Sequence, residues 1–218
     1  MNYKLINTWL VKYDIVLEQS FVEALRQLAN KYTGKKLSEL YTELGCTKTD
    51  ISRWESNPCS THALCKESKK AVIIKAALLF DLDHQQSELL ANKAGLSLCQ
   101  YKEGLAKICE NYNENYKVLL QKASVSERMF QYYLKGKVPT KQALLAIAIS
   151  LDLSFAELDD LLHAYGYNLS KSLPNDAVVL WFLKSNSENT NRKFLLDSIN
   201  EVLAELELPV LMTKLINR

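Results

Sequence analysis

The sequence predicts an all-α fold, and three observations carry that expectation. Only six glycines and four prolines punctuate 218 residues, too few for a turn-rich β architecture. Between them run stretches rich in Leu, Ala, Lys, Glu and Ile, which favour helices of ordinary length. One supersecondary pattern then recurs within the chain, and a repeated unit fixes the architecture in a single step. A hydrophobic content of 48% supplies material for a buried core.

The repeat is seen by setting Lys70–Leu98 over Lys141–Leu169, an offset of 71. The pairs Lys70/Lys141, Ala77/Ala148, Asp81/Asp152, Leu82/Leu153, Leu90/Leu161, Gly95/Gly166 and Leu98/Leu169 are identical. Apolar positions coincide as well, among them Ile73 with Leu144, Ile74 with Leu145 and Leu78 with Ile149. Two amphipathic helices resemble each other by chance, but chance less readily aligns a turn and both glycines.

Taken in chain order, Leu37, Leu40, Tyr41 and Leu44 recur at i, i+3, i+4 and i+7, which predicts a helix of about two turns with one apolar face. Gly45 allows a tight turn, and Thr47 or Thr49 can cap the helix that follows. Ile51 and Trp54 anchor that helix, leaving Lys48, Asp50, Ser52 and Arg53 on its other face. Upstream of Lys70 the alignment shifts to an offset of 79, pairing Ile51 with Phe130 and Trp54 with Tyr133. The first copy therefore holds eight extra residues, expected as a loop within Asn57–Ser68.

Each copy continues with an apolar helix, Ala71–Phe80 or Gln142–Leu151, then an Asp-Leu turn and an amphipathic helix ending at Gly95 or Gly166 in the left-handed conformation. Ser154 and Glu157 form the capping-box pattern, which the first copy lacks. Beyond Pro174, Asp176–Lys184 is strongly apolar and Arg192–Leu206 reads as an amphipathic helix with Phe194, Leu195, Ile199, Val202, Leu203 and Leu206 inward. Polar residues Asn186–Asn191 link the two. These segments either cap the second bundle or form a dimerisation surface with Trp181, Phe182 and the LPVLMTKLI tail. Three domains are expected: 1–99, 100–173 and a C-terminal extension, 174–218.

The net charge of +2 excludes a strongly basic protein, so the distribution matters more than the total. Residues 111–141 carry a balance of +4, and residues 142–218 one of −4. An anion-facing patch is expected around 117–141, beside an acidic C-terminal part. Five cysteines without a CxxC pair fit reduced packing thiols. Cys59, His62 and Cys65 match no common zinc spacing, so no metal or other cofactor is expected. No apolar run reaches the roughly 20 residues of a membrane span, and the N-terminus has no small-residue cleavage site. A cytoplasmic protein that does not engage membranes is expected. The histidines at 62, 84 and 163 are scattered, with no Gly-rich phosphate loop and no G-x-S-x-G elbow, so an enzyme is not expected.

The stretch G-C-T-x-T-x-I-S-R-W-E and, in the second copy, V-S-E-R-M-F-Q-Y-Y-L-K-G-K-V-P-T resemble the phage-repressor-like (XRE/Cro/CI) helix-turn-helix family. The likeness covers about Leu17 to Ser170. It implies two tandem bundles of about five helices each, with first helices at Leu17–Tyr32 and Tyr101–Tyr112, the latter reaching back as far as Ser97. It further implies a transcriptional regulator that reads double-stranded DNA with helices near 47–55 and 126–134. The family's base-reading positions fall on Lys48, Thr49 and Arg53 in copy one, and on Glu127, Arg128 and Tyr132 in copy two.

Arg53, Arg128 and Lys48 suit guanine O6 and N7, and Thr49 a thymine methyl or a phosphate. Lys135, Lys137 and Lys141 look like phosphate contacts. Glu127 departs from the pattern, because it repels phosphate unless it accepts from a cytosine amino group. Trp54, Ile51, Phe130 and Tyr133 are expected in the core. Either copy can have lost DNA binding and kept only packing. The other function class left open is a protein-interaction module on the same scaffold, such as an antitoxin or a mobile-element regulatory protein. A homodimer through the C-terminal helices is compatible with both.

Overall fold

The computed structural model is all-helical and describes residues 2–59, 63–98, 123, 125–135, 137–185 and 195–211. Eleven α-helices and one 3₁₀ turn are found among them. The chain divides into two compact units, residues 1–98 with 168–177, and residues 99–167 with 178–218.

In the first unit, α1 (Tyr3–Lys12) occupies the polar N-terminal stretch. The Asn2 side chain accepts the Leu5 N–H at 3.4 Å, and Ile6 and Leu10, one turn apart, are buried. Next, α2 (Phe21–Thr33) starts later than the expected Leu17, because Ser20 accepts the Glu23 N–H at 3.3 Å and takes the cap position. Gly34, at φ 68°, ends it. The two-turn helix expected over Leu37–Leu44 is instead a 3₁₀ turn, Leu37–Glu39, followed by a single turn, α3 (Tyr41–Leu44). Glu39 Oε2 takes the Lys36 N–H at 2.6 Å and the Leu40 N–H bonds back only three residues to Leu37, so the winding is too tight for one α-helix. Leu37, Leu40 and Leu44 remain buried as the periodicity requires.

α4 (Lys48–Ser56), α5 (Ala63–Leu79) and α6 (His84–Lys93) follow in this unit. α2 packs on α4, α6 and the 3₁₀ turn, and α5 packs on α3 and α6. Two expectations are corrected here. The second half of the segment expected as a loop, residues 63–68, is helical, since α5 begins at Ala63, about two turns ahead of the expected Ala71. Copy one also has its capping box: Asp83 Oδ1 accepts the Gln86 N–H at 2.7 Å, and Gln86 Oε1 accepts the Asp83 N–H at 3.1 Å. Asp and Gln perform there the exchange that Ser154 and Glu157 perform in copy two.

The second unit contains α7 (Glu127–Leu134), α8 (Lys141–Ser150), α9 (Phe155–Ala164) and α11 (Leu195–Glu205). It also holds residues 178–185 of α10 (Pro174–Ser185). α8 packs on both α9 and α11. Leu195, Ile199, Leu203 and Leu206 are buried, whereas Val202 is only half-buried. Trp181 and Phe182 are half-buried and meet edge to face at 4.9 Å. The helix expected over Tyr101–Tyr112, the Asn186–Asn191 linker, Phe194 and the tail beyond Leu211 lie outside the described residues.

The repeat is written into the backbone of both copies. Leu82 N–H bonds to Ala77 O at 2.9 Å, and Leu153 N–H to Ala148 O at 3.1 Å, the six-to-one closure of a Schellman turn. At the other end, Leu96 bonds to Ala91 at 3.0 Å and Tyr167 to Leu162 at 2.9 Å, around Gly95 at φ 70° and Gly166 at φ 68°. The side-chain environments differ more than the backbones do. Ile74 and Leu78 are 54% and 79% exposed, whereas their counterparts Leu145 and Ile149 are 2% and 7% exposed. Among the described residues α8 packs on α11 as well as on α9, whereas α5 packs on α3 and α6.

Candidate nucleic-acid interface

In the first unit the candidate surface is built on α4. Gly45 takes φ 66° and turns the chain after α3. Thr47 then caps α4, its Oγ1 accepting the Asp50 N–H at 3.1 Å while Asp50 Oδ2 accepts the Thr47 N–H at 3.0 Å. Ile51 and Trp54 point inward and are 3% and 2% exposed, with the Trp54 ring 5.6 Å from that of Phe21. That orientation leaves Lys48, Thr49, Ser52 and Arg53 exposed on the outer face. Arg53 Nη1 lies 3.4 Å from Asp50 Oδ1 in an exposed pair too weak to hold it against a better acceptor.

Two further groups of cations lie near α4 that sequence reasoning missed. The Lys75 ammonium covers Gly45, 2.1 Å from where a Cβ would stand. A groove of about 460 Å³ is lined by Arg26, Asn30, Lys35, Lys36, Leu37, Ser38 and Tyr41. Arg26 is tied to Glu23 at 3.3 Å and to Glu55 of α4, which accepts a hydrogen bond from it. The Glu55 bond, reinforced by Glu23, raises the Arg26 guanidinium above its ordinary pKa. These cations come from three separate elements, so no charge run along the chain announces them. Burial, with Asp50 nearby, pushes the Cys46 thiol up, which keeps it a neutral packing group beside the turn.

In the second unit, α7 is capped by Ser126, whose Oγ accepts the Met129 N–H at 3.2 Å. Phe130 and Tyr133 are buried at the positions equivalent to Ile51 and Trp54, and burial raises the Tyr133 phenol above its ordinary pKa. Glu127, Arg128 and Tyr132 are exposed. Arg128 donates to Tyr132 Oη from Nε at 3.2 Å and Nη2 at 3.1 Å, its guanidinium carbon 5.7 Å from the ring centre. The exposed Lys137 ammonium sits 5.9 Å from the same ring and 3.8 Å from Met129 Sδ. Tyr132 thus collects two cations that the sequence reading treated as independent. Lys135 is exposed, whereas Lys141 is 3% exposed. Lys141 therefore leaves the set of phosphate contacts, because an ammonium buried at the start of an interior helix cannot reach a DNA backbone. Lys117, Lys122 and Gly136 lie outside the described residues.

Cys59 and Cys65 are buried, and among the described residues no three His, Cys, Asp or Glu side chains converge to hold a metal. No described helix is long and apolar enough to cross a membrane. Neither a family model, nor a curated protein, nor a solved structure matches the chain.

Proposed function

We propose that the chain is a non-enzymatic DNA-binding regulator whose two units act as helix-turn-helix modules of the phage-repressor type, with α4 and α7 as reading helices. One observation carries the reading. Both helices bury an apolar pair at i and i+3 and turn polar residues on the other face outward, Lys48, Thr49 and Arg53 on α4, and Arg128 and Tyr132 on α7. A capped helix of this length, presented from a short turn, can enter a major groove and bring such donors to base edges. The groove holding Arg26, Lys35 and Lys36, with Lys75 beside the turn, supplies cations for the phosphates around α4. Lys135 and Lys137 serve α7 in the same way.

The test is an electrophoretic shift with genomic DNA fragments over a salt series, repeated with Arg53→Ala and Arg128→Ala. A shift at low salt that weakens steeply as salt rises, and that each variant weakens, is the expected result. Absence of a shift at low salt overturns the reading.

A second reading, a protein-interaction module on the same scaffold, is favoured by the apolar face of α5, where Ile74 and Leu78 are exposed. Association through such a face is far less salt-sensitive, which separates the two readings in one titration. In a homodimer through the C-terminal helices, Trp181 and Phe182 supply the contact, since the apolar stripe of α11 is already buried within its own unit.

A further inference from the structure

α5 presents two apolar faces, and one of them is exposed. Val72, Ile73, Ala76 and Phe80 are buried on the side that meets its own unit. With about 100° between successive residues, the opposite side of the helix brings Ala71, Ile74 and Leu78 into a single stripe. All three are exposed, Leu78 most of all. Their spacing, three residues and then four, is that of the seam along which one helix packs against another. The second unit supplies a precedent for what such a face receives. There the counterparts of Ile74 and Leu78 are Leu145 and Ile149, both buried on α8. α8 packs on α9, the counterpart of α6, and in addition on the amphipathic helix α11, which turns Leu196, Ile199 and Leu203 inward.

Charge distinguishes between possible occupants. Lys70 and Lys75 flank the stripe on opposite sides, each about 70° around the helix from its centre, as the e and g residues of a coiled coil do. Lys75 is exposed and Lys70 half-buried, and among the described residues no carboxylate forms an ion pair with either. Glu67 stands one turn before Ala71, at the end of the stripe. If α5 met the α5 of another molecule of this chain, lysine would face lysine on both edges, whether the helices ran parallel or antiparallel. Such like-charge edges work against self-pairing and select a helix with the opposite sign.

We infer that this face of α5 docks an amphipathic helix of a partner protein, with Leu or Ile at the same spacing and Asp or Glu on both edges to meet Lys70 and Lys75. The apolar stripe supplies the contact area, and the two lysines set which partner is accepted. The inference rests on the protein-interaction reading of the chain and does not depend on DNA reading by α4.

The test titrates the full chain into a fluorescein-labelled helical peptide of about three heptads, with Leu at a and d and Glu at e and g. An otherwise identical peptide carries Lys at e and g. Fluorescence anisotropy should show saturable binding of the Glu peptide, and binding of the Lys peptide about ten-fold weaker. Leu78→Ala should weaken the Glu peptide about ten-fold. Lys75→Glu should weaken it about three-fold and strengthen the Lys peptide. Both positions are exposed, so these variants keep the fold. Equal affinity for the two peptides overturns the acidic partner but leaves α5 as an apolar docking face. No binding of either peptide, or Glu-peptide binding untouched by Leu78→Ala, overturns the proposal and the protein-interaction reading of this face together. Self-association of the free chain that Leu78→Glu abolishes overturns it in favour of a homodimer through α5.

Discussion

Asp81 and Asp152, identical residues 71 positions apart, hold the same left-handed backbone, at φ 49° and φ 55°. Asp tolerates that region because its short polar side chain can bond locally, whereas a β-branched residue clashes there. Asp81→Val should therefore cost about 1–2 kcal/mol, while Asp81→Asn should stay within about 0.5 kcal/mol. Urea unfolding of the two variants checks both values, and equal midpoints would contradict the account.

The two capping boxes should be worth similar amounts despite their different residues. Asp83→Ala and Ser154→Ala each remove the acceptor for an N–H at the start of a helix, at 2.7 Å and 3.3 Å respectively. Each is expected to lower stability by about 1 kcal/mol. Thermal unfolding followed by circular dichroism reads both.

Equivalent apolar positions should respond unequally to truncation. Ile149→Ala removes a side chain buried within the second unit and should cost about 2–4 kcal/mol. Leu78→Ala, at the matching position of α5, trims a side chain that is 79% exposed, and should change stability by no more than about 0.5 kcal/mol. Chemical denaturation distinguishes them readily.

Lys66 should make the first unit more stable as pH rises. Burial, helped by neighbouring Lys70 and opposed by Glu67, lowers its ammonium to about 8 from the ordinary 10.5. Between those values the unfolded chain binds the proton that the folded chain has released, so stability grows with pH across that window. Below about pH 8 the folded chain carries the full penalty, on the order of 1–3 kcal/mol. The urea midpoint should rise from pH 7 to about pH 9.5. Lys66→Met should be more stable at pH 7 and should lack that rise; a wild-type midpoint that falls between pH 7 and about pH 8.5 would refute this.

On the DNA-binding reading, salt dependence should separate the lysines of copy two. Lys135→Ala or Lys137→Ala should each reduce the slope of log affinity against log salt by about 1. Lys141→Met should leave that slope unchanged, because Lys141 is buried.

The fold was legible in the sequence wherever stereochemistry restricts the choice of residue. Gly45, Gly95 and Gly166 mark left-handed positions, and Ile51, Trp54, Phe130 and Tyr133 mark buried faces, because few other residue types fit such sites. Three features were not legible for physical reasons. The 3₁₀ turn at Leu37–Glu39 keeps the same leucines buried as a helix would, so periodicity does not reveal it. The extended α5 begins just past Pro58, Ser60 and Thr61, residues whose local preference is a turn. The burial of Lys141 depends on tertiary packing around α8, and a lysine before an apolar run looks solvated from sequence alone. The candidate surface was half legible: the outward residues of α4 and α7 follow from helical spacing, but the cations of α2 and α5 meet α4 only through folding.

The buried pairs of α4 and α7 have one more consequence. Support and display are assigned to different faces of the same helix, so the outward residues at 48, 49, 52 and 53, or at 127, 128 and 132, form an alphabet that can be respelled while the foundations stay put. The chain carries two such words on a common script, free to diverge in meaning at little cost to either fold.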